Sequence, residues 1–212
     1  MLQRFEDPQS VLEKFGKGNS LDNADLSFLD LAGLHFKGIS FHHTLLSGSR
    51  LVDVIFEDCD LSNLWVQNAD FSGVQCKGLN MVGAFFQKVK LVGACLDHAN
   101  LKTAQMLLCD LSQASCRHTD LSQAQLLGTV MHMTDFTNAN LFQANMREAD
   151  VEGAKFINTN LREADMRKTT LLSAEFRHVV TDGVLHYGKS PWSGQSVPEK
   201  DWYLEMPIFD GE

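Results

Sequence analysis

The side chains best able to do chemistry in this chain are its eight histidines, five cysteines and 27 carboxylates. Their spacing decides whether they can act together. The cysteines are odd in number and form no Cys-x-x-Cys pair or zinc-finger spacing. His98 and His118 stand twenty residues apart, and two ligands without a third make a weak metal site, so a solvated pair is the simpler reading. No glycine-rich phosphate loop is present. The carboxylates are plentiful but regular. Asp30, Asp60, Asp70, Asp120 and Asp165, with Asn100 and Asn140, fall at one position of a five-residue pattern. Short polar side chains there bond nearby backbone at turns, so paired carboxylates are expected everywhere and mark no acid–base site. The sequence therefore predicts no catalytic residue, no cofactor and no metal centre.

The elements that hold these side chains repeat with a period of five. Every position of the form 5n+1 from Leu21 to Phe176 is apolar: fifteen Leu, eight Phe, five Met, two Val and two Cys. Two residues earlier the side chain is usually small, with fourteen Ala, six Thr and two Cys. Larger residues (Leu29, Leu34, Ile39, Leu64, Leu79) occupy that slot mainly in the first half and predict slightly swollen early coils. A period of five matches neither the 3.6 of an α-helix nor the 2 of a long strand. It matches a short extended piece followed by a corner, with both apolar positions turned inward and three residues forming the wall and turn. Small beside large lets layers interdigitate in a narrow core.

The motif, seen in Ala69-Asp70-Phe71, Ala99-Asn100-Leu101, Ala139-Asn140-Leu141 and Ala164-Asp165-Met166, resembles the pentapeptide-repeat family over residues 19–178. The resemblance implies an all-β chain: a right-handed quadrilateral parallel β-helix of about eight coils, each of four pentapeptides. At a strand spacing of ~4.8 Å its shaft is roughly 40 Å long. Two patterns agree with a twenty-residue coil. Phe36, Phe56, Phe136, Phe156 and Phe176 share one column, with Cys76, Leu96 and Cys116 between them. Outside, Lys37, Glu57, Lys77, Asp97 and Arg117 alternate in sign, as do Asp30, Arg50, Asp70, Lys90 and Asp110. Stacked neighbours prefer opposite charges.

Open coil ends must be covered. Asp7-Pro8 predicts the start of a short helix, with Gly16 past its end and Val11, Leu12 and Phe15 over the first coil, so residues 1–18 are expected to form a cap. Residues 179–212 hold three of the four prolines and Tyr187, Trp192, Trp202 and Tyr203, which predicts an extended tail docked on the last coil, on a face or on a partner. Cys59, Cys76, Cys109 and Cys116 are expected to pack inward, leaving Cys95 outward.

One column differs from the rest. Its outward residues Leu45, Trp65 and Phe85 are apolar on successive coils, and Leu107, Leu108 and Leu127 follow. An apolar strip rimmed by polar residues predicts a docking surface for a protein partner or a second copy. Net charge is −9, with 18 acidic and 13 basic residues over 19–178, which argues against direct nucleic-acid binding. No apolar leader opens the chain and no stretch is long enough to span a membrane, so a cytoplasmic bacterial protein is the expectation, with delivery by a specialised secretion system left open. The expected function is a non-catalytic interaction scaffold. The family resemblance supplies an alternative, a DNA mimic that occupies DNA gyrase, as quinolone-resistance-type members do. This chain shares their length and sign of charge, but its register is unbroken by projecting loops, two of its outer columns alternate in sign, and its tail lacks the pattern of a dimerising helix. A further alternative is a secreted effector or toxin-associated accessory role.

Overall fold

The computed structural model describes residues 3–15 and 20–187. The chain opens with strand β1 (Gln3–Arg4) and helix α1 (Pro8–Phe15). Asp7 caps the helix as expected: its Oδ1 accepts the Ser10 N–H at 2.8 Å. Val11 is buried in the core, as is Phe5. The side chains of Leu12 and Phe15, and Gly16 itself, lie outside the described residues. The sequence pattern missed β1, which pairs in parallel with β2 (Ala24–Asp25) and adds a rung below the first coil. It thereby satisfies backbone groups at an edge that would otherwise stay open.

From Ser20 onward the chain winds in twenty-residue coils with four faces. The first face carries the bridged column Ser20, Ser40, Asp60, Asn80, Asn100, Asp120, Asn140, Asn160 and Val180, eight consecutive parallel steps. The second carries Asp25, Leu45, Trp65, Phe85, Gln105, Gln125, Asn145, Asp165 and Leu185. The third begins at Asp30 and Arg50, the fourth at His35 and Ile55. Where pairing is longest, short strands form: β3 (His35–Lys37) with β4 (Ile55–Glu57); β5 (Trp65–Gln67) with β6 (Phe85–Gln87) and β7 (Gln105–Leu107); and β8 (Lys155–Ile157) with β9 (Glu175–Arg177). All are parallel. The chain is thus the expected four-sided β-helix. The rungs also run beyond residue 178, the expected end of the repeat, to Val180 and Leu185, and Val179 and Val184 still pack against the core from the small slot although the large slot has turned polar at Thr181 and His186.

The corners explain the period. Every 5n+3 residue from Asn23 to Gly183 has positive φ; ten are glycine and twenty-three are not. Most corners close with a hydrogen bond from the residue after it to the inward residue before it, such as Ala24 N–H to the Leu21 carbonyl at 3.0 Å, as a type II turn requires. Left-handed backbone costs roughly 1–2 kcal/mol for a residue with a Cβ. Here the ladder over-determines it: Leu45 N–H reaches the Ala24 carbonyl and Leu46 N–H the Trp65 carbonyl, both at 2.9 Å, and this pattern recurs around the coil.

Both inward series are buried. Every 5n+1 residue from Leu21 to Leu171 is buried, and so is the preceding small slot from Ala24 to Thr169 except at Leu34. Threonine is tolerated in that slot for a local reason. Thr44, Thr119, Thr129, Thr134, Thr159 and Thr169 each donate the hydroxyl to the carbonyl twenty-three residues earlier, at 2.6–2.8 Å. Cys59 and Cys109 aim their thiols the same way. No polar group is left orphaned by these choices. The phenylalanine column stacks: Phe36 on Phe56 with centroids 5.6 Å apart, and Phe136, Phe156 and Phe176 at 5.1 and 4.9 Å.

Two outcomes test this packing. Phe156 is fully buried in the middle of its stack, and Phe156→Ala is expected to cost about 3–5 kcal/mol in urea unfolding; a cost below about 1 kcal/mol would contradict the stacked core. Thr103 is exposed and β-branched at φ 57°. Thr103→Gly is expected to raise stability by up to about 1 kcal/mol and Thr103→Ala not to; equal effects would show that the corner is unstrained.

Candidate interaction surface

Leu45, Trp65, Phe85, Leu107, Leu108 and Leu127 all lie on the second face, on five successive coils. Leu45, Phe85 and Leu107 are half-buried, while Trp65, Leu108 and Leu127 are 43%, 54% and 39% exposed. Cross-strand register holds Trp65 directly against Phe85, their rings stacked at 4.1 Å and 17°. Such pairing rigidifies a large apolar surface before anything binds. Leu108 occupies a corner with φ 54° and lies over Gly128, where an added Cβ would come within 2.8 Å of its Cδ2. Phe28 does the same over Gly48 at the start of the face and is 77% exposed. Sequence reasoning passed over Phe28 because a corner position is normally polar. A bulky apolar residue twenty positions before a corner glycine was the available signal.

The five coils bearing the strip carry a single charged side chain on this face, Lys88. The neighbouring first face is a polar ladder, and the third carries a charged column broken by Val130 and the exposed Met133. Asn80 donates to Asp60 and Asn140 to Asp120, both at 3.0 Å, and Asn160 to Asn140 at 2.9 Å. Each Asp or Asn of these columns also accepts a backbone N–H two residues on, as at Asp60–Ser62 and Asp120–Ser122. The carboxylates and amides are therefore committed to the corners, which is why their abundance carries no catalytic meaning. Asp70 shows the electrostatic result: burial alone would raise its pKa, but the Ser72 hydroxyl and N–H hold the carboxyl below its usual value.

Ion pairs follow the expected columns in part. Arg50 meets Asp30 at 3.0 Å and Lys37 meets Glu57. Arg117, expected against Asp97, instead reaches Asp135 at 2.7 Å on the next coil. Asp97 turns its carboxylate to the Ser115 hydroxyl and the Arg117 backbone N–H. A diagonal reach of eighteen residues competes with the straight reach of twenty, and hydrogen bonding decides between them.

His98 and His118 stack face to face at 4.6 Å and 3°, with His118 Nε2 3.3 Å from the Asn138 amide. Burial pushes the Cys76 and Cys116 thiols far up and that of Cys109 to about 11, so these cysteines are unreactive packing residues. The cysteines are all free, and only Cys95 is partly exposed.

One cluster escaped the sequence reading. His132, Asp150 and Glu152 place one ligand atom each within 4.8 Å of one another on the third face. His132 Nε2 lies 2.8 Å from Asp150 Oδ2, although without hydrogen-bond alignment. The eighteen-residue diagonal that joins Arg117 to Asp135 also joins these two, so the contact belongs to the repeat and needs no ion. The Asp150 carboxylate holds the imidazole pKa above its ordinary value. A raised folded-state value means that the protonated ring contributes stability in full below about pH 6.5, and this is lost as pH rises through the folded pKa. The His132 ring is expected to titrate above about 6.5 by NMR and to fall back in Asp150→Asn; a midpoint unchanged by that substitution would remove the pair.

The pentapeptide-repeat family profile matches the chain in eight copies, over residues 24–63, 69–106, 104–143 and 144–180. Curated proteins yield no match. Among solved structures, the chain is similar to HetL, a pentapeptide repeat protein involved in heterocyst differentiation regulation from the cyanobacterium Nostoc sp. strain PCC 7120. Identity is 21% over 85% of this chain and 95% of HetL, at a TM-score of 0.34. It is also similar to QnrB1, a plasmid-mediated fluoroquinolone resistance protein, at 20% identity over 77% of each chain and a TM-score of 0.45. Rfr23 from the cyanobacterium Cyanothece 51142 matches at 16% identity over 84% of this chain and 98% of its own, with a TM-score of 0.23. With the repeat present in eight matched copies and its inward residues buried coil after coil, this chain belongs to the pentapeptide-repeat family.

Proposed function

We propose that the protein is a non-catalytic scaffold whose second face docks another protein through the strip from Leu45 to Leu127. The observation that carries this is the pre-stacked Trp65–Phe85 pair on a surface with one charge in five coils. Interface cores are depleted of charge and enriched in aromatic residues, and rigid anchors contribute most of the binding energy. The first face is committed to its own Asn–Asp ladder. No helix among the described residues is long and apolar enough to cross a membrane.

The gyrase-mimic alternative is less well supported. A mimic of DNA needs a dense, continuous negative field. On the third and fourth faces Asp30 and Glu57 are neutralised by Arg50 and Lys37, and the second face carries Asp25, Glu148 and Asp165 against Lys88, Arg147, Arg167 and Lys168.

Trp65 is a surface residue, so Trp65→Asp is expected to leave the fold within about 1 kcal/mol of wild type while reducing recovery of specific partners from the native organism's lysate about tenfold or more. Unchanged partners at unchanged yield would discredit the strip. Light scattering on the same pair of proteins identifies a second copy as the occupant if a dimer is lost on substitution. Inhibition of gyrase supercoiling by micromolar protein, retained in Trp65→Asp, would favour the mimic instead.

A further inference from the structure

Three features on the second face converge on one occupant for the strip. The described chain ends on this face, with Leu185 bridged to Asp165 and Tyr187 on the same column as Leu127, Arg147 and Arg167. Tyr187 interacts with Arg167, one coil back toward the strip, and Arg167 is itself held by Asp165 at 2.6 and 2.9 Å. The described chain therefore ends in contact with the face that bears the strip.

Length and composition fit a return path. Leu127 lies three coils from Tyr187, ~14 Å at a spacing of ~4.8 Å per coil. Trp192 follows Tyr187 by five residues, an extended reach of ~16 Å. Trp65 and Phe85 lie five to six coils away, ~24–29 Å, within reach of Trp202 and Tyr203 fifteen and sixteen residues on. Residues 188–212 carry Glu199, Asp201, Glu205, Asp210 and Glu212 against Lys189 and Lys200. The face they would cross presents Arg147 and Lys88, neither in an ion pair among the described residues, beside Arg167. Asp165 and Glu148 match Arg167 and Lys168, which leaves Lys88 and Arg147 as the cations of this apolar face open to an acidic, aromatic segment.

We propose that residues 188–212 of this chain fold back down the second face, seating Trp192 near Leu127 and the Trp202–Tyr203 pair on Trp65–Phe85. The strip is then occupied by the chain's own tail until a partner protein displaces it. This rests on the scaffold reading for its purpose, but not for its geometry. Intramolecular docking needs little intrinsic affinity, because a short tether holds the tail at millimolar effective concentration. A partner must exceed that competition, which turns a permanently sticky surface into a selective one.

The chain has three tryptophans, Trp65, Trp192 and Trp202, so full-length W192F/W202F reports on Trp65 alone. Full-length W192S/W202S/Y203S keeps the same single fluorophore with a tail that has lost its anchors. Acrylamide quenching of Trp65 is expected to rise about twofold or more in the serine protein, and shielding in the phenylalanine protein is expected to weaken with salt. Equal quenching in the two proteins overturns the proposal. Shielding that grows with protein concentration also overturns it, because a second copy then covers the strip. The two readings fail separately. Partners lost in Trp65→Asp without any tail-dependent shielding leave the scaffold standing and remove the tail. Tail-dependent shielding with partners unaffected by Trp65→Asp does the reverse.

Discussion

The structure depends on a left-handed corner at every fifth residue. From Asn23 to Gly183 that position has positive φ, whatever its side chain. Glycine meets the requirement freely, but asparagine, histidine, glutamine, leucine and even threonine are held there as well. A single such residue is unfavourable in isolation. It persists because the coils on either side accept and donate hydrogen bonds that no other backbone conformation would align. The corners are therefore cooperative products of stacking, and the shaft forms as a series of neighbour interactions along one dimension.

Once the corners are set, inside and outside become separate problems. Inside, one large and one small side chain per pentapeptide fill a narrow core, and hydroxyls or thiols in the small slot reach the carbonyl of the coil before. Outside, each column is a list of side chains ~4.8 Å apart that interact only with those above, below and diagonal. A column can change character without disturbing its neighbours. That independence is how the second face carries stacked aromatics while the first carries an Asn–Asp ladder. It also makes the apolar strip informative, since nothing in the fold requires Trp65 or Leu108 to be apolar.

Much of the architecture was legible because the period never slips. The inward series, the Phe36–Phe56 and Phe136–Phe156–Phe176 stacks and the helix cap at Asp7 all follow from type and spacing. The strip was legible too, as three apolar residues where three polar ones belong. What escaped notice was two-dimensional. The pairing of Gln3–Arg4 with Ala24–Asp25 has no repeat to announce it. Phe28 is four coils from Leu108, the other large apolar residue of its column, and its place becomes clear only when it is seen lying on Gly48. The His132–Asp150 and Arg117–Asp135 contacts run along a diagonal that a search of straight columns overlooks. The rungs at Val180 and Leu185 lie beyond the large apolar series, held by backbone pairing and by Val179 and Val184 in the small slot. The expected positions of Trp192, Trp202 and Tyr203 fall outside the described residues.

By itself the sequence determined the coil, the contents of its core and the identity of the unusual face, because each depends on which side chain occurs at which multiple of five. Tertiary structure decided which outward groups pair, whether His98 and His118 offer nitrogens or ring faces, and how far the rungs run past the large apolar series. Those outcomes turn on competition between neighbours at nearly equal distance. A periodic pattern names the competitors, but only their arrangement in space selects the winner.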